Sequence, residues 1–179
     1  MTDREIQEIY QGEGGRTQAF NLIVREYSKR LYWHLRELVF NHEDADDLLQ
    51  NTFLKAWKSL PSFRWESGLY TWLYRIATNE AFTFLKKERM YNKFSLTPFE
   101  TRLANKITED MSFKGDTIQL LLQWEVAKLP DRQRAIFSMR YFQDMEYADI
   151  AAILDSNPDA VKASYSLAYK KITKNIRQG

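Results

Sequence analysis

The sequence predicts an all-α protein of two small helical domains joined by a flexible linker, the C-terminal one containing a helix-turn-helix. Three observations carry this. Apolar residues recur at three- and four-residue spacing along most of the chain, strand-like alternation is nearly absent, and a polar stretch holding Pro98 and Gly115 interrupts the pattern near the middle. With 179 residues, 44% of them hydrophobic, the chain can bury a real core in one domain or two and does not have the composition of a disordered protein.

Residues Ala19, Phe20, Ile23, Val24, Tyr27, Leu31 and Leu35 share one stripe and predict a first amphipathic helix. A second follows from Leu48, Leu49, Thr52, Phe53, Ala56 and Trp57 and ends before Pro61; a third runs from about Ser67 to Arg89 with Leu69, Leu73, Ile76, Ala77, Ala81 and Leu85 inward. These three close a bundle over residues 1–90. Residues 91–115 lose the stripe and read as the linker, with a short helix around Glu100 to Ile107. Four further helices are expected in 116–179: TIQLLLQWEVAKL, PDRQRAIFSMRYF, YADIAAIL and PDAVKASYSLAYKKITKNI.

The last two of these read as helix, tight turn, helix. Asn157 suits the N-cap and Pro158 the first helical position, so the final helix has a well-specified start. In such motifs the second helix enters the major groove and its early residues meet base edges. Asp159, Ala160, Lys162, Ala163, Ser164 and Ser166 are the candidates for that contact, with Lys170, Lys171 and Lys174 suited to phosphates. A plain helical hairpin with solvated lysines would show the same pattern.

The stretch HEDADDLLQNTFLKAW sets acids beside a histidine and then turns apolar. A calcium loop would need alternating oxygen ligands around a glycine, and a zinc site more nitrogen ligands than His34 and His42, so no metal is expected. Acids in a first turn suit the positive end of a helix dipole, which accounts for Glu43 and Asp44. The face opposite the buried set, Asp47, Gln50, Asn51 and Leu54, is a polar stripe interrupted by a leucine and suits a partner helix. On the third helix Thr71, Arg75, Thr78, Asn79, Phe82 and Lys86 share one side, just after a loop with Phe63, Arg64 and Trp65. Rings interleaved with cations are what unpaired nucleic acid requires, because bases stack while cations track phosphates. Arg64 and Trp65 have little structural use in a polar loop, whereas Trp72 and Trp57 are assigned to the core.

The near balance of 26 Lys and Arg against 24 Asp and Glu leaves any basic surface to local clustering. No cysteine is present, which removes disulfides, thiolate metal sites and cysteine nucleophiles and fits a reducing compartment. No apolar run approaches the roughly 20 residues that span a bilayer, and the polar start MTDREIQEIYQG is unlike a signal peptide, so no membrane insertion and a cytoplasmic location are expected. An enzyme has no support: there is no glycine-rich phosphate loop, no nucleophile motif and no histidine cluster. Neither a catalytic residue nor a cofactor is expected.

The runs DADDLLQNTFLKAW and TWLYRIATN, standing ahead of LPDRQR and a helix-turn-helix, resemble bacterial sigma factors of the extracytoplasmic-function group over nearly the whole chain. That resemblance implies a non-enzymatic subunit that binds core RNA polymerase, directs it to promoter DNA and helps open the duplex. It implies that residues 1–90 form region 2 and 116–179 form region 4. Asp47, Gln50, Asn51 and Leu54 would dock on the clamp helices of the largest polymerase subunit, and region 4 would meet the flap of the second largest. Phe63, Arg64, Trp65, Arg75, Asn79, Phe82 and Lys86 would capture and stabilise the melted −10-type element, and the early residues of the last helix would read the −35-type element. The tether would let an anti-sigma protein occlude both faces. The turn DSNPDA departs from the family's usual glycine and serine cap, and Ser164 and Leu167 stand where arginine is common, so base preference does not carry over. Glu146 and Asp149 replace the usual Ser and Glu capping-box pair. The competing reading is an ordinary helix-turn-helix regulator with a sensing or dimerisation domain, which predicts dimers on palindromic sites.

Overall fold

A computed structural model describes residues 1–93, 95, 97–109 and 116–178, and all regular structure among them is helical. The elements are α1 (Asp3–Gln11), α2 (Gly15–Val39), α3 (His42–Ser59), a 3-10 turn (Leu60–Ser62), α4 (Leu69–Tyr91), α5 (Phe99–Glu109), α6 (Thr117–Ala127), α7 (Asp131–Tyr141), α8 (Tyr147–Leu154) and α9 (Pro158–Gln178). None of the described helices is long and apolar enough to cross a membrane.

The expected stripes of α2, α3 and α4 turn inward and build the first core. Ala19, Ile23, Leu31, Leu35, Leu48, Ala56, Leu73, Ala77 and Leu85 are buried in it, each large one worth roughly 1.5–3 kcal/mol of transfer. Helix α2 ends on Phe40, whose left-handed φ of 60° points its N–H back to the Arg36 carbonyl while its ring stays buried. That sharp stop lets α3 fold back antiparallel. Helix α1 lies outside the predicted set. Its start is a capping box of Thr2 and Glu5, and Ile6 is driven into the α2 core.

Within the linker stretch, α5 carries a short apolar stripe of Phe99, Leu103, Ala104 and Ile107, the last three buried, and packs along α6. Its Lys106 pairs with Asp44 of α3 at 2.8 Å. Residues 94, 96 and 110–115 of the linker expectation lie outside the described residues.

The two halves pack together, α2 against α7 and α4 against α7 and α8. The joint holds a buried cation. Arg134, 1% exposed, donates to the carbonyls of Leu38 at 3.2 Å and Leu129 at 2.8 Å and to Asp131 at 2.9 Å. Arg89 holds the same carboxylate with two bonds of 2.9 and 3.1 Å. Burial alone would raise Asp131, but these two guanidinium groups outweigh it and keep the carboxyl below its ordinary range.

Candidate nucleic-acid interface

Helix α3 starts where its chemistry dictates: Asn41 Oδ1 accepts the Asp44 N–H at 2.9 Å, and Glu43 and Asp44 sit in the first turn. Its outer stripe is open to solvent. Asp47, Gln50, Asn51 and Leu54 are all exposed, and Leu54, at 59%, is a large apolar side chain left without cover on a polar face. His42 Nδ1 is bonded to the Tyr32 hydroxyl at 2.6 Å, and among the described residues no group of His, Asp and Glu is placed to hold a metal ion.

The loop between the 3-10 turn and α4 is an aromatic stack. Phe63 lies flat on Trp72, with centroids 4.4 Å apart, and Trp65 leans on Phe63 at 4.9 Å and on Tyr10 of α1 at 5.8 Å. Trp65 is therefore half-buried and has the structural use that its sequence context does not suggest, whereas Arg64 is exposed. The backbone of Trp65 is left-handed at φ 59°, a conformation that a bulky residue adopts only under constraint. Trp57 and Trp72, expected in the core, are also half-buried.

Along α4, Asn79 and Lys86 are exposed, and Phe82 is half-buried. Asn79 lines an open cleft with Lys55, Lys58, Ser59, Ile76 and Glu80. Thr78 does not belong to that outer face. It is buried, accepting from His34 Nε2 at 2.8 Å and donating to the Tyr74 carbonyl at 2.6 Å, because the helical turn that shows Asn79 to solvent points its neighbour at α2. Arg75 donates to the Ala152 carbonyl of α8, so in this arrangement one expected nucleic-acid contact is held by the other half.

The helix-turn-helix forms as expected. Helix α8 ends on Asp155 at φ 52°, Asn157 Oδ1 caps α9 by accepting the Ala160 N–H at 2.9 Å, and Ile150, Ala151, Leu154, Val161 and Ala168 seal the pair. Asp159, Ala160, Lys162, Ala163, Lys170 and Lys171 are exposed on α9, and Ser164 and Ser166 are partly so. Glu146, at the start of α8, makes no side-chain cap bond.

Sequence reasoning missed one surface. Helices α6, α7 and α9 leave an apolar groove lined by Ile118, Leu122, Phe137, Tyr141, Tyr169 and Ile172, about 240 Å³ in volume. The signal was present in TIQLLLQW, which is apolar nearly all round yet buries only Val126 and Ala127 of its helix.

A second polar cluster closes the joint between halves. Gln143 Nε2 donates to Glu37 at 2.8 Å and bonds His34 Nδ1 at 3.0 Å, while the Tyr74 hydroxyl donates to Gln143 Oε1 at 3.2 Å. With Nε2–H given to Thr78 and Nδ1 accepting from Gln143, His34 fits as a neutral imidazole, and burial pushes it down to about 3. Burial pushes Glu37 up to about 7 against the lowering effect of the Gln143 bond.

Residues 23–90 match the family model for Sigma-70 region 2 and residues 120–172 that for Sigma-70, region 4. The chain is 30% identical to the ECF RNA polymerase sigma-E factor of Haemophilus influenzae, over 99% of this chain and 96% of that protein. Its fold is similar to that of CnrH, solved in complex with the cytosolic domain of CnrY, with a TM-score of 0.69 and 21% identity over 98% of this chain and 97% of that one. It is also similar to the sigma factor RpoE of Bartonella quintana, solved with the anti-sigma factor NepR, with a TM-score of 0.65 and 21% identity over 88% of this chain and 96% of that one.

Proposed function

The chain belongs to the sigma-70 family as an extracytoplasmic-function sigma factor, a promoter-specificity subunit for transcription initiation, and from that premise we propose which of its surfaces does what. Residues 1–90 act as region 2, 116–179 as region 4, and 91–115 as the connection. The stripe Asp47, Gln50, Asn51 and Leu54 docks the clamp helices of the largest polymerase subunit. Its exposure on α3, with an uncovered leucine among polar groups, is the observation that carries this assignment.

Phe63, Arg64 and Trp65, with Arg75, Asn79, Phe82 and Lys86, receive the melted −10-type strand. A flipped base needs a ring to stack on and cations along its backbone, and the loop and the α4 face offer both. Asp159, Ala160, Lys162, Ala163, Ser164 and Ser166 face the −35-type major groove, with Lys170 and Lys171 on phosphates. The apolar groove of α6, α7 and α9 suits an apolar helix such as the flap of the second-largest subunit. An anti-sigma protein inhibits by covering these faces. All bond making and breaking belongs to the polymerase, no cofactor is needed, and the protein works in the cytoplasm.

The decisive experiment is size exclusion with bacterial core RNA polymerase at moderate salt. Wild-type protein co-elutes one to one, and Asp47→Arg with Gln50→Ala abolishes co-elution while circular dichroism stays native. Unchanged co-elution of that variant would remove the docking assignment.

A further inference from the structure

Helix α1 lies before the region 2 match, and none of the surfaces assigned above uses it. It nevertheless touches the loop that carries Phe63, Arg64 and Trp65 at two points. Asp3 Oδ2 accepts the backbone N–H of Leu69 at 2.8 Å, and Tyr10 packs its ring on Trp65 at 5.8 Å. Leu69 is the first residue of α4, and the N-cap before it is Gly68, which has no side chain to satisfy the unpaired N–H groups of a helix start. Asp3 supplies the missing acceptor from a distant part of the chain. A Cβ on Gly68 would stand 3.3 Å from Asp3 Oδ2, tighter than ordinary contact, so glycine leaves room for that carboxylate.

The clasp is itself held. Asp3 Oδ1 accepts the Tyr27 hydroxyl at 3.0 Å, and burial together with the Asp3 charge pushes that hydroxyl up to about 12, which keeps it a donor. Ile6 is buried, and Gly15 lies so close under α1 that a Cβ there would fall 1.8 Å from the Ile9 carbonyl oxygen. At the other end Trp65 keeps a left-handed backbone, which a tryptophan does not adopt without support.

We propose that α1 positions the promoter-reading loop: Asp3 caps α4 in place of Gly68, and Tyr10 backs Trp65, so that residues 63–68 are held in the form that receives an unpaired base. The inference rests on the −10-type reading of that loop. Asp3 touches no nucleic acid and is a positioning residue.

The test uses full-length protein with bacterial core RNA polymerase and a promoter fragment selected from a randomised pool by the wild-type holoenzyme. Core affinity and the rate of permanganate-reactive opening are read on each variant. Asp3→Ala slows opening roughly tenfold, the scale of a lost helix cap, with core affinity unchanged, and Asp3→Asn, which keeps an acceptor for Leu69, restores most of the rate. Tyr10→Leu leaves the cap and slows opening alone, which keeps the proposal testable if Asp3→Ala folds poorly. Opening at the wild-type rate in Asp3→Ala and Tyr10→Leu while Trp65→Ala is slow would overturn the clasp and leave the loop reading standing. If Trp65→Ala also opens at the wild-type rate, the loop reading fails and the clasp with it. Core affinity lost in step with opening would reduce Asp3 to a general folding contact and likewise overturn the proposal.

Discussion

Arg134 shows how much one side chain can be asked to do. It is nearly inaccessible, and its guanidinium serves carbonyls from α2 and from the α6–α7 joint as well as Asp131. A buried cation survives only when it is well bonded, and removing it leaves the carbonyls of Leu38 and Leu129 without this donor, while Asp131 keeps its two bonds from Arg89. Arg134→Met therefore costs about 1–3 kcal/mol of stability, read as a lower urea midpoint at unchanged slope. A loss under about 1 kcal/mol would mean that solvent reaches the site. The arginine was visible in the sequence as the last residue of LPDRQR, but its role was not, because its partners lie in other helices and a local pattern names only neighbours. Thr78 departs from the expected outer face for a related reason: its spacing places it beside Asn79, while the rotation of α4 against α2 points it inward, where it accepts from His34 across the bundle.

Helices show the same division between local and distant causes. Long stripes made α2, α3, α4 and α9 legible, since they repeat over several turns. Helix α1 was not read, although Thr2 and Glu5 spell a capping box, because nine residues with one buried side chain give too little periodicity. The stripe of α5 was blurred by the polar residues around it. Caps also set what each helix can gain or lose. Asn157 bonds the Ala160 N–H, so Asn157→Ala destabilises by about 1 kcal/mol, whereas Glu146 leaves α8 without a side-chain cap. Glu146→Ser, with Asp149 three residues on, completes a capping-box-like start and stabilises by about 0.5–1 kcal/mol. Urea melts check both, and a Glu146→Ser variant no more stable than wild type would show that the α8 start is already satisfied.

At the scale of the molecule, the joint between halves was invisible to the sequence, because nothing in a one-dimensional pattern says that Gln143 meets His34 and Glu37. Its protonation has a definite sign. Glu37 is raised from 4.5 to about 7 by burial when the halves are packed and returns toward the ordinary carboxyl range when they part, so the packed form keeps a proton that the parted form releases. Packing is therefore fully favoured by this group below about 4.5 and loses that support as pH rises through 7. His34 acts in the opposite direction: held neutral from 6.5 down to about 3, it withdraws support as pH falls below 6.5. Between those limits the two slopes oppose each other, and above 6.5 only Glu37 still changes. Lys29, Arg30, Tyr70 and Tyr74 line the same cavity, and the Gln143 bond favours the charged carboxylate without reversing the shift. The absence of cysteine makes the test direct, since Glu13→Cys and Gln178→Cys give two unique labels on opposite halves. Energy transfer between them falls from pH 6.5 to pH 8 in the wild type and holds in Glu37→Gln, whose amide has no charge to expose. The same opening withdraws Ala152 from Arg75, so the cation proposed for the melted strand is released as the halves part. Equal transfer at both pH values in the wild type would show that Glu37 does not govern the joint.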